Sequence, residues 1–131
     1  MIKVFVNGSF DILHAGHIRL FNYAKSLGDH LLVAIDTDER ISKLKGPKRP
    51  INFLADRKLL LENLKAVDAV WSFDSDEELE DIVRIYSPDI MVKGSDYSGG
   101  RIIGEQYCGD IVFLDRTNDS TTAKIQRIIN R

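Results

Sequence analysis

The chain has 131 residues, 44% hydrophobic and 29% charged, with 18 Lys+Arg against 20 Asp+Glu and a net charge of −2. This excludes disordered and collagen-like chains, predicts one domain over residues 1–131 with a buried core, and argues against nucleic acid or an anionic membrane as partner. The single Cys108 leaves no intrachain disulfide framework, and the longest apolar run, residues 31–35, is far short of the roughly 20 residues that span a bilayer. No basic, apolar leader precedes the first strand-like segment, so no secretory signal is expected and a cytoplasmic location is.

Residues 2–7 read as a short strand with β-branched Val4 and Val6, punctuated by Gly8. Over residues 17–27 the apolar Ile18, Leu20, Phe21 and Ala24 recur at helical spacing, and Gly28 stops the pattern. Residues 31–35 are wholly apolar, as in a central parallel strand covered on both faces. A short helix follows over 36–43, then a loop over 45–52 holding Pro47 and Pro50. Asn52 is placed to cap a helix running to Ala66, with Leu54, Leu60, Leu61 and Leu64 on its buried side.

Residues 69–73 form the third expected strand, and 76–86 a helix whose acidic first turn suits its dipole and which Pro88 ends. Strands at 90–93 and 111–114 and a last helix over 121–129 complete the series. This alternation predicts an α/β fold, a single Rossmann-like three-layer domain with a five-stranded parallel sheet flanked by helices.

In such sheets the ligand lies beyond the carboxyl ends of the strands, where strand order reverses. The first strand runs into Asn7-Gly8-Ser9-Phe10-Asp11-Ile12-Leu13-His14-Ala15-Gly16-His17. Three positions apart at a helix entry, His14 and His17 can share a face, and Gly16 removes a side chain where a ligand would approach. The helix amino end favours an anion, and two imidazoles can donate to phosphoryl oxygens as charge builds up. The alternatives are two surface histidines beside a turn, or a metal site in which Asp11 is the only local carboxylate. Lys43, Lys45, Lys48 and Arg49 concentrate positive charge on one loop, suited to phosphates or simply solvated. Ser120, Thr121 and Thr122 open the last helix, where capping alone would explain them. The glycine-rich residues 94–100 follow a strand and can let backbone approach a base, with Asp96 the side chain of interest, or can form a plain turn. Neither a P-loop ending nor a G-x-G-x-x-G after the first strand is present, Cys108 reads as a packed thiol, and His30 as structural.

Taken together, the segment Gly8 to His17 resembles the H-x-G-H signature of the cytidylyltransferase-like nucleotidyltransferase superfamily, and the resemblance covers nearly the whole chain. It extends to Leu44-Lys45-Gly46-Pro47-Lys48-Arg49-Pro50, Arg57, Val92-Lys93-Gly94-Ser95-Asp96-Tyr97 and Ser120-Thr121-Thr122. The K-G-x-x-R-P and V-K-G-x-D-Y segments are most similar to adenylyltransferases of ADP-heptose synthesis. Arg116-Thr117 is more like glycerol-3-phosphate cytidylyltransferases, with a shorter spacer of Asn118-Asp119 before Ser120.

The resemblance implies that His14, His17 and Lys45 are catalytic. Nucleotide and phosphate groups would lie against Gly8, Ser9, Phe10, Asp11, Gly16, Arg57, Lys93, Gly94, Asp96, Arg116, Ser120, Thr121 and Thr122. It further implies Mg²⁺ bound mainly through the triphosphate, a homodimer, and as partners an NTP and a phosphorylated sugar or polyol. The expected reaction releases diphosphate, with ATP and D-glycero-D-manno-heptose 1-phosphate giving ADP-heptose. The alternative pair is CTP with glycerol 3-phosphate. A non-catalytic nucleotide-binding or regulatory flavodoxin-like module is the rival of another class. A phospho-receiver would want an acidic cluster at the first strand end, where this chain has histidines.

Overall fold

A computed structural model describes residues 1–94, 100–114 and, by backbone alone, 123–124. In chain order the elements are β1 (Lys3–Gly8), α1 (Ala15–Ser26), β2 (His30–Asp36), α2 (Asp38–Lys45), α3 (Leu54–Glu62), β3 (Ala69–Phe73), α4 (Asp76–Tyr86), β4 (Ile90–Lys93), a 3-10 turn at Glu105–Tyr107, β5 (Asp110–Leu114) and β6 (Ala123–Lys124). The sheet order is β3-β2-β1-β4-β5-β6. The first five strands are parallel, so the fold is the expected Rossmann-like α/β sandwich, and β6 pairs antiparallel with β5.

Strand alternation sorts the core onto two faces. Val4, Val6, Leu31, Val33 and Ile35 pack with Leu20, Phe21 and Ala24 of α1 and with Leu61 of α3. Phe5, Leu32, Ala34, Met91 and Ile111 face the other way, against Leu79, Ile82, Val83 and Tyr86 of α4 and against Ile102 and Cys108. With both faces covered, β2 needs apolar residues at every position, which is why it reads as a continuous run. Among the described residues no helix is long and apolar enough to cross a membrane.

Five expectations change. The helix expected at 36–43 begins at Asp38, because Thr37 caps it by accepting from the Arg40 amide. Asn52 does not cap α3: the residue before that helix is Phe53, without a capping side chain, and Asp38 of α2 instead accepts the Leu54 N–H at 2.9 Å. That helix stops at Glu62 rather than Ala66, and Leu60 faces solvent. Ala123 and Lys124 are strand, paired with Leu114 and Phe113, where the sequence predicts helix. The remainder of that expected helix lies outside the described residues. His30 is structural, its Nδ1 2.8 Å from the Tyr86 hydroxyl, and Cys108 is buried.

Candidate active site

Strand order reverses between β1 and β4, since β2 flanks β1 on one side and β4 on the other. A crevice at such a reversal is the usual ligand site of an open parallel sheet. At its floor, Lys93 at the end of β4 donates to Asn7 Oδ1 near the end of β1 at 2.9 Å. This contact ties the two diverging strands and holds an ammonium group at the switch point.

The chain leaving β1 forms the histidine turn. His14 is the N-cap of α1, and its Nδ1 accepts the Gly16 N–H at 3.0 Å. His17, at N3, returns the bond: its Nδ1 accepts the His14 N–H at 3.2 Å. This is a capping box built from two imidazoles instead of the usual hydroxyl and carboxyl pair. Because each Nδ1 accepts a backbone N–H, each neutral ring carries its hydrogen on Nε2. The rings stack with centroids 3.9 Å apart. Two Nε2–H donors are thereby fixed side by side at a helix amino end.

Phe10 supports them from below. Its backbone takes φ 49°, and its ring stands edge-on to His17 at 5.2 Å and to Phe21 at 5.0 Å. Gly8 is required here because a Cβ would come within 2.9 Å of the Phe10 ring. Gly16 has a similar cause: a Cβ there would meet the His14 ring at 2.8 Å. The His14 ring therefore already needs the absence of a side chain at Gly16, a cause the spacing did not suggest.

Asp11 is buried and faces the loop that follows α2. Its two oxygens accept the Asn52 N–H at 2.7 Å and the Ile51 N–H at 2.8 Å, with Arg49 at 3.5 Å. Burial pushes the Asp11 carboxyl up, but the two amides and the Arg49 guanidinium outweigh it and hold the group below the ordinary carboxylate value. Arg57 has no solvent exposure. Its Nε donates to the Asn52 carbonyl at 3.0 Å, Nη1 to the carbonyls of Ser9 and Asp36 at 3.0 and 2.8 Å, and Nη2 to Asp38 Oδ1 at 2.8 Å. Expected either on the helix surface or at a phosphate, this guanidinium is enclosed by protein acceptors, because the start of α3 abuts the ends of β1 and β2.

The structure thus groups Gly8, Ser9, Phe10, Asp11, His14, Gly16, His17, Arg57 and Lys93 around the carboxyl ends of β1, β2 and β4. Lys45 is exposed at the end of α2, and Gly94 directly follows β4. Asp96, Arg116, Ser120, Thr121 and Thr122 lie outside the described residues. Three polar contributors escape a motif reading: Asn7, Asp38 and Asn52. For Asn7 a signal exists, since a polar residue ending an apolar strand at the switch point faces the crevice. Asp38 and Asn52 act through partners far along the chain, which spacing does not reveal.

Comparison with known proteins gives the family. Residues 5–100 match the family described as cytidylyltransferase-like. The bifunctional protein HldE of Helicobacter hepaticus is 43% identical over 128 residues, covering 98% of this chain and 26% of that protein. The bifunctional protein HldE of Hahella chejuensis is 47% identical over 130 residues, covering 95% and 27%. The chain therefore spans about a quarter of the length of these relatives. Among solved structures, a lipopolysaccharide core biosynthesis protein from Thermoplasma volcanium superposes with a TM-score of 0.68 at 34% identity, covering 76% of this chain and 80% of its own. The chain belongs to the cytidylyltransferase-like family of nucleotidyltransferases.

Proposed function

We propose that the chain transfers AMP from ATP to D-glycero-D-manno-heptose 1-phosphate, giving ADP-heptose and diphosphate. The observation that carries the reaction type is the pair of imidazoles whose Nδ1 atoms are committed to backbone amides, so that both present Nε2–H as donor. In this reading a phosphate oxygen of the acceptor attacks the α-phosphorus of the nucleotide. The bond from that phosphorus to the oxygen bridging to the β-phosphate breaks, and diphosphate leaves with the electron pair. The nucleophile is already ionised near neutral pH, so no general base is needed, and catalysis is positioning plus charge stabilisation. His14 and His17 stabilise the negative charge that develops on the phosphoryl oxygens and leaving group. Lys45 and Lys93 supply cationic contacts to the phosphates, and the Ser120, Thr121 and Thr122 segment supplies hydroxyl and amide donors, a role taken from the resemblance.

Mg²⁺ would supply charge neutralisation on the triphosphate. The carboxylate of the histidine turn does not fit as its ligand, since Asp11 spends its oxygens on Ile51, Asn52 and Arg49. The ion accordingly belongs to the nucleotide in this reading, and no step is drawn through it. A homodimer completes the proposal, on the strength of the family resemblance.

Support for the sugar phosphate comes from the K-G-x-x-R-P and V-K-G-x-D-Y segments and from relatives named HldE; the solved structure titled for lipopolysaccharide core biosynthesis fits a saccharide acceptor. The test is diphosphate release across ATP, CTP, GTP and UTP against heptose 1-phosphate, glycerol 3-phosphate and related phosphates. Turnover with ATP and heptose 1-phosphate is expected. Turnover confined to CTP and glycerol 3-phosphate would replace the substrate pair, and nucleotide binding without diphosphate release in any combination would leave a binding module.

A further inference from the structure

We propose that Asp11 and Arg57 are positioning residues that together dock the basic loop onto the histidine turn, acting on phosphate binding without touching the ligand. The inference rests on the reading that this loop binds phosphate groups, and it concerns how the loop is held there.

The loop between α2 and α3 has no regular structure, turns at Gly46 with φ 107°, and exposes Pro47, Lys48 and Arg49. Left to itself, such a segment samples many placements, and its charges would meet a phosphate only part of the time. Its middle is tied back to α2 by Ser42, whose hydroxyl donates to the Arg49 carbonyl. Its far end is fixed by the two buried charges. Asp11 takes the consecutive amides of Ile51 and Asn52, and the Asn52 side chain donates back to the Asp11 carbonyl. Arg57 takes the Asn52 carbonyl and, through Nη1, the carbonyl of Ser9 two residues before Asp11. Asn52 is therefore gripped at its amide, side chain and carbonyl, and both grips end on the segment leading to His14.

Both charges are already committed mainly to protein partners, and Arg57 has no solvent exposure through which to meet a ligand. The Asp11 oxygens already face two amides and a guanidinium, and four N–H groups of Arg57 already have protein acceptors. Their remaining influence on a substrate runs through the placement of residues 9–11 against 49–52. If releasing the far end leaves the loop in its binding-competent placement one tenth of the time, the apparent nucleotide affinity falls about tenfold while the reacting groups stay intact.

Asp11→Asn tests this with little change of shape, because an amide can offer one acceptor oxygen but turns a donor toward the second N–H. Hydrogen exchange at the Ile51 and Asn52 amides is expected to rise about tenfold or more, with exchange in β2 unchanged. The KM for ATP is expected to rise about tenfold, with kcat within about threefold of the parent at saturation. Asn52→Ala, which removes only the side-chain grip, is expected to shift both readouts in the same direction by less, and it serves if Asp11→Asn does not fold. Unchanged exchange at Ile51 and Asn52 in both variants overturns the proposal, as does a fall in kcat at constant KM, which would place Asp11 at the reacting groups. The exchange measurement needs no substrate. Should the parent protein release no diphosphate with any nucleotide, the functional reading fails while the docking role is still decided by exchange.

Discussion

The two ends of the sheet are built by different rules. At the amino ends of the strands one device recurs: an aspartate immediately ahead of a strand pairs reciprocally with a single residue at or next to the start of the neighbouring strand. Asp29 donates its N–H to the Ile2 carbonyl and accepts the Ile2 N–H at 2.7 Å. Asp68 does the same with Leu31, and Asp89 with Lys3, both accepting at 2.8 Å. Each such pair extends the backbone ladder by one rung and fixes register, and nothing converges on a common point. At the carboxyl ends the polar groups converge. Asp11, Arg57, Asp38, Asn52 and the two histidines tie residues 9–17, 36–38 and 49–57 to one another around the crevice. Damage at the first end is expected to lower stability alone. Damage at the second is expected to alter binding or turnover.

The largest expected effect comes from Arg57→Met, which removes the one group joining all three segments. It leaves the carbonyls of Ser9, Asp36 and Asn52 short of a donor and Asp38 without its guanidinium. Asp38 is 33% exposed and can be solvated, so the cost comes chiefly from the three carbonyls left without a donor, about 3–5 kcal/mol in all. Urea unfolding is expected to show that loss. A change below about 1 kcal/mol would mean that the enclosed guanidinium is not what holds the carboxyl ends together.

Next is His17→Ala, where chemistry and structure separate. Losing one donor to developing charge is expected to lower kcat about 10²–10³-fold. The same change removes the acceptor for the His14 N–H, a capping loss of about 1 kcal/mol. Single-turnover diphosphate release and a thermal melt check the two figures. Full turnover in the folded variant would end the assignment of the histidines to the reaction.

Much of this division was legible in the residues themselves. The apolar run of β2, the matching strands at Ala69–Phe73 and Ile90–Lys93, and α4 with its acidic first turn follow from apolar patterning and local charge. The H-x-G-H spacing marked the histidine turn because an N-cap and N3, three residues apart, meet across the first turn of a helix. What escaped was set by contacts distant in sequence. Asn52 looks like a cap from its neighbours, yet Asp11, 41 residues earlier, takes its amide. Arg57 looks like a surface residue of an amphipathic helix, yet it is the guanidinium that fills the space between two strand ends. The short antiparallel β6 was also hidden, since pairing with β5 overrides the helical pattern of residues 123–124.

A smaller effect is expected at the amino end. Asp68→Ala leaves the Leu31 N–H, at the start of a buried strand, without its acceptor, and Lys25 without its partner. The cost is about 1–3 kcal/mol, chiefly from the unsatisfied amide, since a partly exposed ion pair adds little. Both kcat and the nucleotide KM are expected to match the parent under conditions where the variant is folded. A changed KM would show that the two ends are coupled through the sheet, and the division would need redrawing.

The finest test uses acid. At Asp11, burial raises the carboxyl but two amides and Arg49 overcome it; at Asp68, burial is overcome by Lys25 and the Leu31 amide. Both groups therefore sit below the ordinary carboxylate value in the folded chain. The unfolded chain binds protons first as pH falls, so the stability each contributes is complete above about pH 4 and is lost as pH drops through the lowered folded values. Asp36 has the opposite sign, because burial outweighs Arg40 and raises it, so its protonation on the way down favours the folded state. Asp11→Asn and Asp68→Asn are each expected to flatten the loss of urea stability below about pH 4. At pH 7.5 the two variants are expected to part, with a raised nucleotide KM in Asp11→Asn and a parental one in Asp68→Asn. Equal KM values in variants whose acid slopes have both flattened would show that a lowered carboxylate does the same work at either end, and the distinction between register and site would fall.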